Sequence, residues 1–132
     1  MEPRVSLITL GVSDLSRSTV FYRDGLGLPT HGDFPGVTFF DLKGAWLSLY
    51  PRHELAADAG VAVEGRGFNG FALAHNVRSK DEVDAVLKQA ENAGAEIIKA
   101  ARDTDWGGYS GYFADPDGYL WEVAWNPHLD LT

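Results

Sequence analysis

The chain has no cysteine among its 132 residues. That absence excludes disulfides, thiolate zinc sites, iron–sulfur ligation and a thiol nucleophile together. No apolar run approaches the length of a membrane span, and the opening residues lack the basic start, apolar block and small-residue cleavage site of a secretory signal. Bases are scarce: 11 Lys and Arg stand against 19 Asp and Glu, giving a formal charge of -8. That is the wrong sign for wrapping a polyanion, and no Lys/Arg cluster reverses it locally. Neither nucleic acid nor membrane is an expected partner, and a cytoplasmic location is the expectation. Phosphate-cradling glycine loops, the G-x-S-x-G elbow and His-Glu-x-x-His are also missing.

With 45% hydrophobic and 12% aromatic residues, the chain suits one ordinary globular domain over 1–132, burying roughly two thirds of its unfolded surface. Its element order is written twice. Val5 to Val12 is a β-rich run, Ser13-Asp14 offers a helix cap, and Leu15, Val20, Phe21 and Leu26 share one helical face until Gly25-Leu26-Gly27. Phe68 to Val77 repeats the strand, Ser79 or Asp81 can cap, and Val83, Val86, Leu87 and Ala90 recur at helical spacing until Gly94. Three short β-rich pieces follow each helix: Leu28–His31, Val37–Leu42 and Ala45–Pro51, then Ala95–Ala100, Gly108–Ala114 and Tyr119–Trp125. The result is an α+β fold of two βαβββ modules, 1–52 and 68–132. Residues 53–67 have no sustained period and read as a linker or flap.

One charge stands out. Glu122 lies in the run Leu120-Trp121-Glu122-Val123-Ala124-Trp125, where an unpaired buried carboxylate would cost several kcal/mol or protonate. Strand alternation puts Leu120 and Ala124 on its face and Trp121, Val123 and Trp125 on the other. Trp121 and Trp125 are expected to pack against helices or a subunit interface. In the matched strand of the first module, Trp46, Ser48 and Tyr50 share the corresponding face, with Leu47 and Leu49 toward the helices. A salt bridge to Arg4, Arg52, Arg66 or Arg102 is the competing account of Glu122. Asp14, Asp41, Asp115 and Asp117 fall at caps and turns and read as structural. His75 reads best as a histidine hydrogen-bonded beneath a helix, while Asn76 shares the cavity face. Trp106, followed by two glycines, either closes a pocket or packs over the edge of the sheet.

Val12-Ser13-Asp14-Leu15, Phe21-Tyr22, Leu26-Gly27-Leu28, Ala93-Gly94-Ala95 and Phe113-Ala114-Asp115-Pro116-Asp117-Gly118 leading to Trp121-Glu122 together resemble the vicinal oxygen chelate superfamily. This group contains glyoxalase I, extradiol dioxygenases, fosfomycin-modifying enzymes and bleomycin resistance proteins. The resemblance implies curved half-barrels with helices outside, a site on the concave faces, and a homodimer. Metal-dependent members place ligands on the first and fourth strands, and here the matching positions are Leu7, Ser48, Ala72 (or its neighbour Phe71) and Glu122. Only Glu122 is a strong donor, so no divalent metal and no other cofactor is expected.

The expected function is metal-independent binding of a small aromatic or apolar organic molecule, with Trp46, Ser48, Tyr50, Asn76, Trp106 and Glu122 as ligand contacts. The alternative is a lyase, isomerase or dioxygenase-like enzyme in which Glu122 is a general base or residual metal ligand, helped by Ser48, Asn76 or a tyrosine. A fold with an accessory or regulatory role and no ligand is the third.

Overall fold

The computed structural model describes residues 1–65 and 67–132, so Arg66 lies outside the described residues. The chain forms two compact units, Met1–Gly67 and Phe68–Thr132. No helix is long and apolar enough to cross a membrane among the described residues.

In the first unit β1 (Leu7–Val12) leads into α1 (Leu15–Val20), whose cap is Asp14, its side chain accepting from the Arg17 backbone N–H at 3.0 Å. The helix then widens into a π-helical turn over Phe21–Gly25, closed by the Leu26 N–H donating to the Phe21 carbonyl at 2.9 Å. A π turn holds an extra residue and so rotates the buried face. Phe21 and Tyr22 are buried in this turn, while Val20, expected on the apolar face, is 50% exposed.

β2 (Thr38–Phe40) runs antiparallel to β3 (Trp46–Pro51), and β3 runs parallel to β1, giving the order β1-β3-β2. The strand expected at Leu28–His31 is reduced to one bridge, Thr30 to Phe40, flanked by hydrogen bonds from His31 N to Phe39 O and from Asp41 N to Pro29 O. Pro29 has no N–H to extend the ladder, and Gly27 and Gly32 on either side adopt φ of 75° and 67°. Leu10, Val12, Phe40, Leu47 and Leu49 make the core with Phe21 and Tyr22.

Residues 53–67, expected as a linker, instead begin inside α2 (Arg52–Ala59). Gly11 admits this helix: a Cβ there would sit 3.2 Å from Arg52 Cα and 3.4 Å from Leu55 Cδ2. Alternation along β1 gives α2 the face shared by Leu7 and Thr9, at its Gly11 end.

The second unit keeps all four strands. β4 (Leu73–Val77) is followed by α3 (Lys80–Asn92), β5 (Glu96–Asp103), β6 (Tyr109–Ala114) and β7 (Leu120–Trp125), in the order β4-β7-β6-β5 with β4 parallel to β7. Ser79 caps α3 by accepting from Glu82 N at 3.1 Å, while the Glu82 carboxylate accepts from Arg78 N at 2.9 Å. Val83, Leu87 and Ala90 bury one helical face, and Phe113 and Val123 meet it from the sheet side of the core. Trp121 lies 6.0 Å from Phe113 with the rings at 4°, and Lys80 Nζ sits 5.9 Å above the Trp125 ring. Asp115 is buried in the turn before β7 and accepts from the N–H groups of Asp117 and Tyr119 at 2.9 and 2.8 Å.

Gly111 is where the second unit is tightest. A Cβ there would lie 2.7 Å from Leu87 Cδ1, 2.8 Å from the Lys99 carbonyl oxygen and 2.9 Å from Ala101 N. Two of those atoms are backbone and cannot turn away. Gly111→Ala is therefore expected to cost about 1–3 kcal/mol through strain in a packed core. Urea unfolding measures it, and a change within about 0.5 kcal/mol, as for an ordinary surface substitution, would contradict the packing described.

Candidate functional site

Register decides which side chains meet. In the first unit Leu7 pairs with Trp46, Thr9 with Ser48 and Gly11 with Tyr50, while Phe39 pairs with Ser48 from the other side. Partners in adjacent strands point to the same face, so Leu7, Thr9, Trp46, Ser48, Tyr50 and Phe39 share one. A cavity of about 710 Å³ opens at the Trp46 end, lined by Leu7, His31, Phe34, Phe39, Trp46 and the Arg4–Ser6 stretch. The His31 and Trp46 rings are 4.7 Å apart at 50°, and those of Phe34 and Phe39 are 5.6 Å apart, edge to face.

Of the residues expected to share a ligand cavity here, Trp46 lines it and Ser48 and Tyr50 do not. Ser48 is 1% exposed, and its Oγ lies 2.6 Å from Thr9 Oγ1. Those two hydroxyls satisfy each other in the middle of the sheet. Tyr50 is half-buried at the end next to α2. His31, Phe34 and Phe39 were missed by sequence reasoning. Parity along β2 gives Phe39, since it must face the same way as its partner Ser48, but His31 and Phe34 lie in irregular chain where no period applies.

In the second unit Glu122 pairs with Ala74 on one side and Tyr112 on the other, and Tyr112 pairs with Lys99. The next row on this face is Asn76, Ala124, Ser110 and Arg102. A cavity of about 400 Å³ is lined by Lys99, Arg102, Asp103, Asp105, Trp106, Ser110, Tyr112 and Glu122. Glu122 and Trp106 thus come together, in polar company. Asn76 instead lines a separate cavity of about 390 Å³ with Arg78, Trp125, Asn126 and Asp130.

The surroundings of Glu122 differ from the apolar ones expected, because its nearest neighbours lie across the strands and not along its own. Its neighbour across the strands is Tyr112, whose phenol feels the Glu122 charge. None of the arginines weighed as partners forms an ion pair with it among the described residues: Arg4 pairs with Glu2 at 2.8 Å, Arg52 donates to the Val63 carbonyl at 3.3 Å, Arg102 lines the same cavity without a salt bridge, and Arg66 is outside the described residues. Burial raises the Tyr112 phenol above its ordinary value, and the nearby Glu122 charge raises it further.

Trp106 stands 45% exposed, with its ring against Gly108, where a Cβ would fall 1.9 Å from ring atom Cζ3. The close approach that this glycine permits is to the chain's own tryptophan. The turn is tied by Gly108 N donating to Thr104 Oγ1 at 3.0 Å and by Thr104 N donating to the Gly108 carbonyl at 3.0 Å. His75, expected beneath a helix, is exposed on the edge strand β4.

The model of the Glyoxalase/Bleomycin resistance protein/Dioxygenase superfamily matches residues 4–123. The chain belongs to that superfamily. A glyoxalase-related enzyme from Fulvimarina pelagi is 40% identical, with a TM-score of 0.87 over 95% of this chain and 89% of that one. A lactoylglutathione lyase from Agrobacterium tumefaciens is 26% identical with a TM-score of 0.74 over the whole of both chains. Among curated relatives, the glutathione transferase FosA of Serratia marcescens is 27% identical over 116 residues, 88% of this chain and 76% of that protein. The superfamily's two βαβββ units are those described above, with the second strand of the first unit worn down to a bridge.

The superfamily's metal corners fit a divalent cation poorly here. The side chains of Leu7 and Ala72 carry no donor atom, the Ser48 hydroxyl is engaged by Thr9, and Glu122 alone offers a carboxylate. Among the described residues no three His, Cys, Asp or Glu side chains converge as a metal site would need.

The Glu122–Tyr112 contact makes a prediction. With the phenol raised in the folded chain, its contribution to stability is complete below the unfolded tyrosine value, about 10, and fades as pH rises through the folded value. Glu122→Gln removes the charge that opposes phenolate formation and should lower the Tyr112 pKa part of the way back, burial still holding it up. Tyrosinate absorbance, taken as the difference from Tyr112→Phe, reports it. An unchanged or higher value in Glu122→Gln would break the assignment.

Proposed function

We propose that this superfamily member is a metal-independent binder of a small aromatic or otherwise apolar organic molecule. The carrying observation is the cavity bounded by Trp46, His31, Phe34, Phe39 and Leu7. Its volume, about 710 Å³, falls in the range of small-molecule sites, and flat ring faces supply contact area without demanding a particular polar partner. The donor-poor metal corners support the metal-free part of the reading. The resemblance supports a homodimer, and the formal charge of -8 supports a small-molecule partner over a polyanion.

One observation favours a second reading, in which Glu122 acts as a general base. The carboxylate sits in a cavity beside the Tyr112 phenol, with Lys99 and Arg102 in the same lining. A base needs a proton within hydrogen-bond reach, and cations nearby would stabilise charge developing on a substrate. The names of the lyase and transferase relatives support this enzymatic alternative.

Titration with N-phenylnaphthylamine, an uncharged fluorescent aromatic, tests the first reading. The wild type should bind it, and Trp46→Ala should weaken binding about 3- to 10-fold, the worth of one aromatic contact, with Glu122→Gln without effect. Elemental analysis should find no stoichiometric divalent metal. Metal at one equivalent, lost on Glu122→Ala, would overturn the metal-free reading and favour Glu122 as a residual ligand.

A further inference from the structure

Arg4 is the one Lys or Arg in the lining of the aromatic cavity, and no carboxylate lines it. Its guanidinium is already oriented. Nε donates to Glu2 Oε2 at 2.8 Å, and Nη1 donates to Ser6 Oγ. The remaining N–H groups, on Nη2 and the second position of Nη1, have no hydrogen-bond partner among the described residues. A guanidinium with N–H groups to spare can meet a planar carboxylate through paired donors. Trp46, Phe39 and His31 line the same cavity, the His31 ring tilted at 50° against that of Trp46.

We propose that this cavity selects planar aromatic carboxylates, the ring lying against Trp46 and Phe39 and the carboxylate meeting Arg4. The proposal rests on the aromatic-binding reading above and names the ligand class for that same cavity. The charge count favours a monoanion. One guanidinium, already paired with Glu2 at an exposed site, balances at most a single negative charge, and the acidic chain as a whole repels an anion carrying more. Arginine is the residue suited to the task, because its fork fixes the carboxylate plane and so the plane of the attached ring; a lysine ammonium supplies charge without that constraint.

The test compares naphthoate with naphthamide, which has the same shape and no charge, by calorimetry on the full chain. Wild type should bind naphthoate about 5- to 10-fold more tightly, the yield of a charge-assisted contact at a partly exposed site. Arg4→Gln should abolish that preference, lowering naphthoate affinity far more than naphthamide affinity, Arg4→Lys should keep only part of it, and Trp46→Ala should weaken both ligands alike. Equal affinities in wild type, or a preference that survives Arg4→Gln, would overturn the carboxylate proposal while leaving aromatic binding intact. Failure of wild type to bind either compound, or N-phenylnaphthylamine, would remove the aromatic-binding reading and the proposal with it. Full preference in Arg4→Lys would overturn the forked contact.

Discussion

In each unit the first strand returns to lie parallel beside the last, β1 against β3 and β4 against β7. Nearly every functional consequence descends from that pairing. A parallel neighbour cannot be reached by a tight turn, so the chain must cross over, and the helix used for the crossing supplies the apolar face that covers one side of the sheet. The other side is left with its side chains in fixed rows: Thr9 beside Ser48, Leu7 beside Trp46, Ala74 beside Glu122. Shifting the register by one residue would exchange Trp46 for Leu47 and Glu122 for Val123, burying a carboxylate and exposing the core. The register of the sheets is thus protected by the hydrophobic core, and the candidate site inherits its geometry from it.

The division of labour by strand parity was readable from the sequence. Leu47 and Leu49 alternating with Trp46, Ser48 and Tyr50, and Val123 alternating with Glu122, announce two faces before any coordinate is known. The burial of Leu47, Leu49 and Val123 agrees with it. Turn and cap chemistry was equally local, and Asp14, Ser79 and Asp115 hold the N–H groups that such residues hold elsewhere. What escaped were relations between strands and within irregular chain. Glu122 looked isolated because Leu120 and Ala124 are its neighbours along the chain, whereas Tyr112 and Lys99 are its neighbours across the sheet. The helix after Pro51 escaped because its residues, Arg52 to Ala59, carry almost no amphipathic period. It is held in place by the gap at Gly11 and not by an apolar stripe.

Two polar pairs set the character of the two sheets. In the first, Thr9 and Ser48 bond to each other, leaving the aromatic cavity to be defined by ring faces. In the second, Tyr112 and Glu122 join a phenol to a carboxylate among cations and hydroxyls. On matched frames the two units thus carry unlike surfaces, one lined mainly by rings and one by charged and hydroxyl side chains.

The hydroxyl pair of Thr9 and Ser48 bears on how the chain responds to its surroundings. Imidazole and carboxylate ligands compete with protons for a metal, so a site built from them loosens as its environment turns acidic and empties when chelators are present. Alcohols neither gain nor lose a proton across that span and have no affinity for a chelator's ion to forfeit. The hydroxyl pair at the centre of the first sheet is accordingly indifferent to acidity and to metal supply.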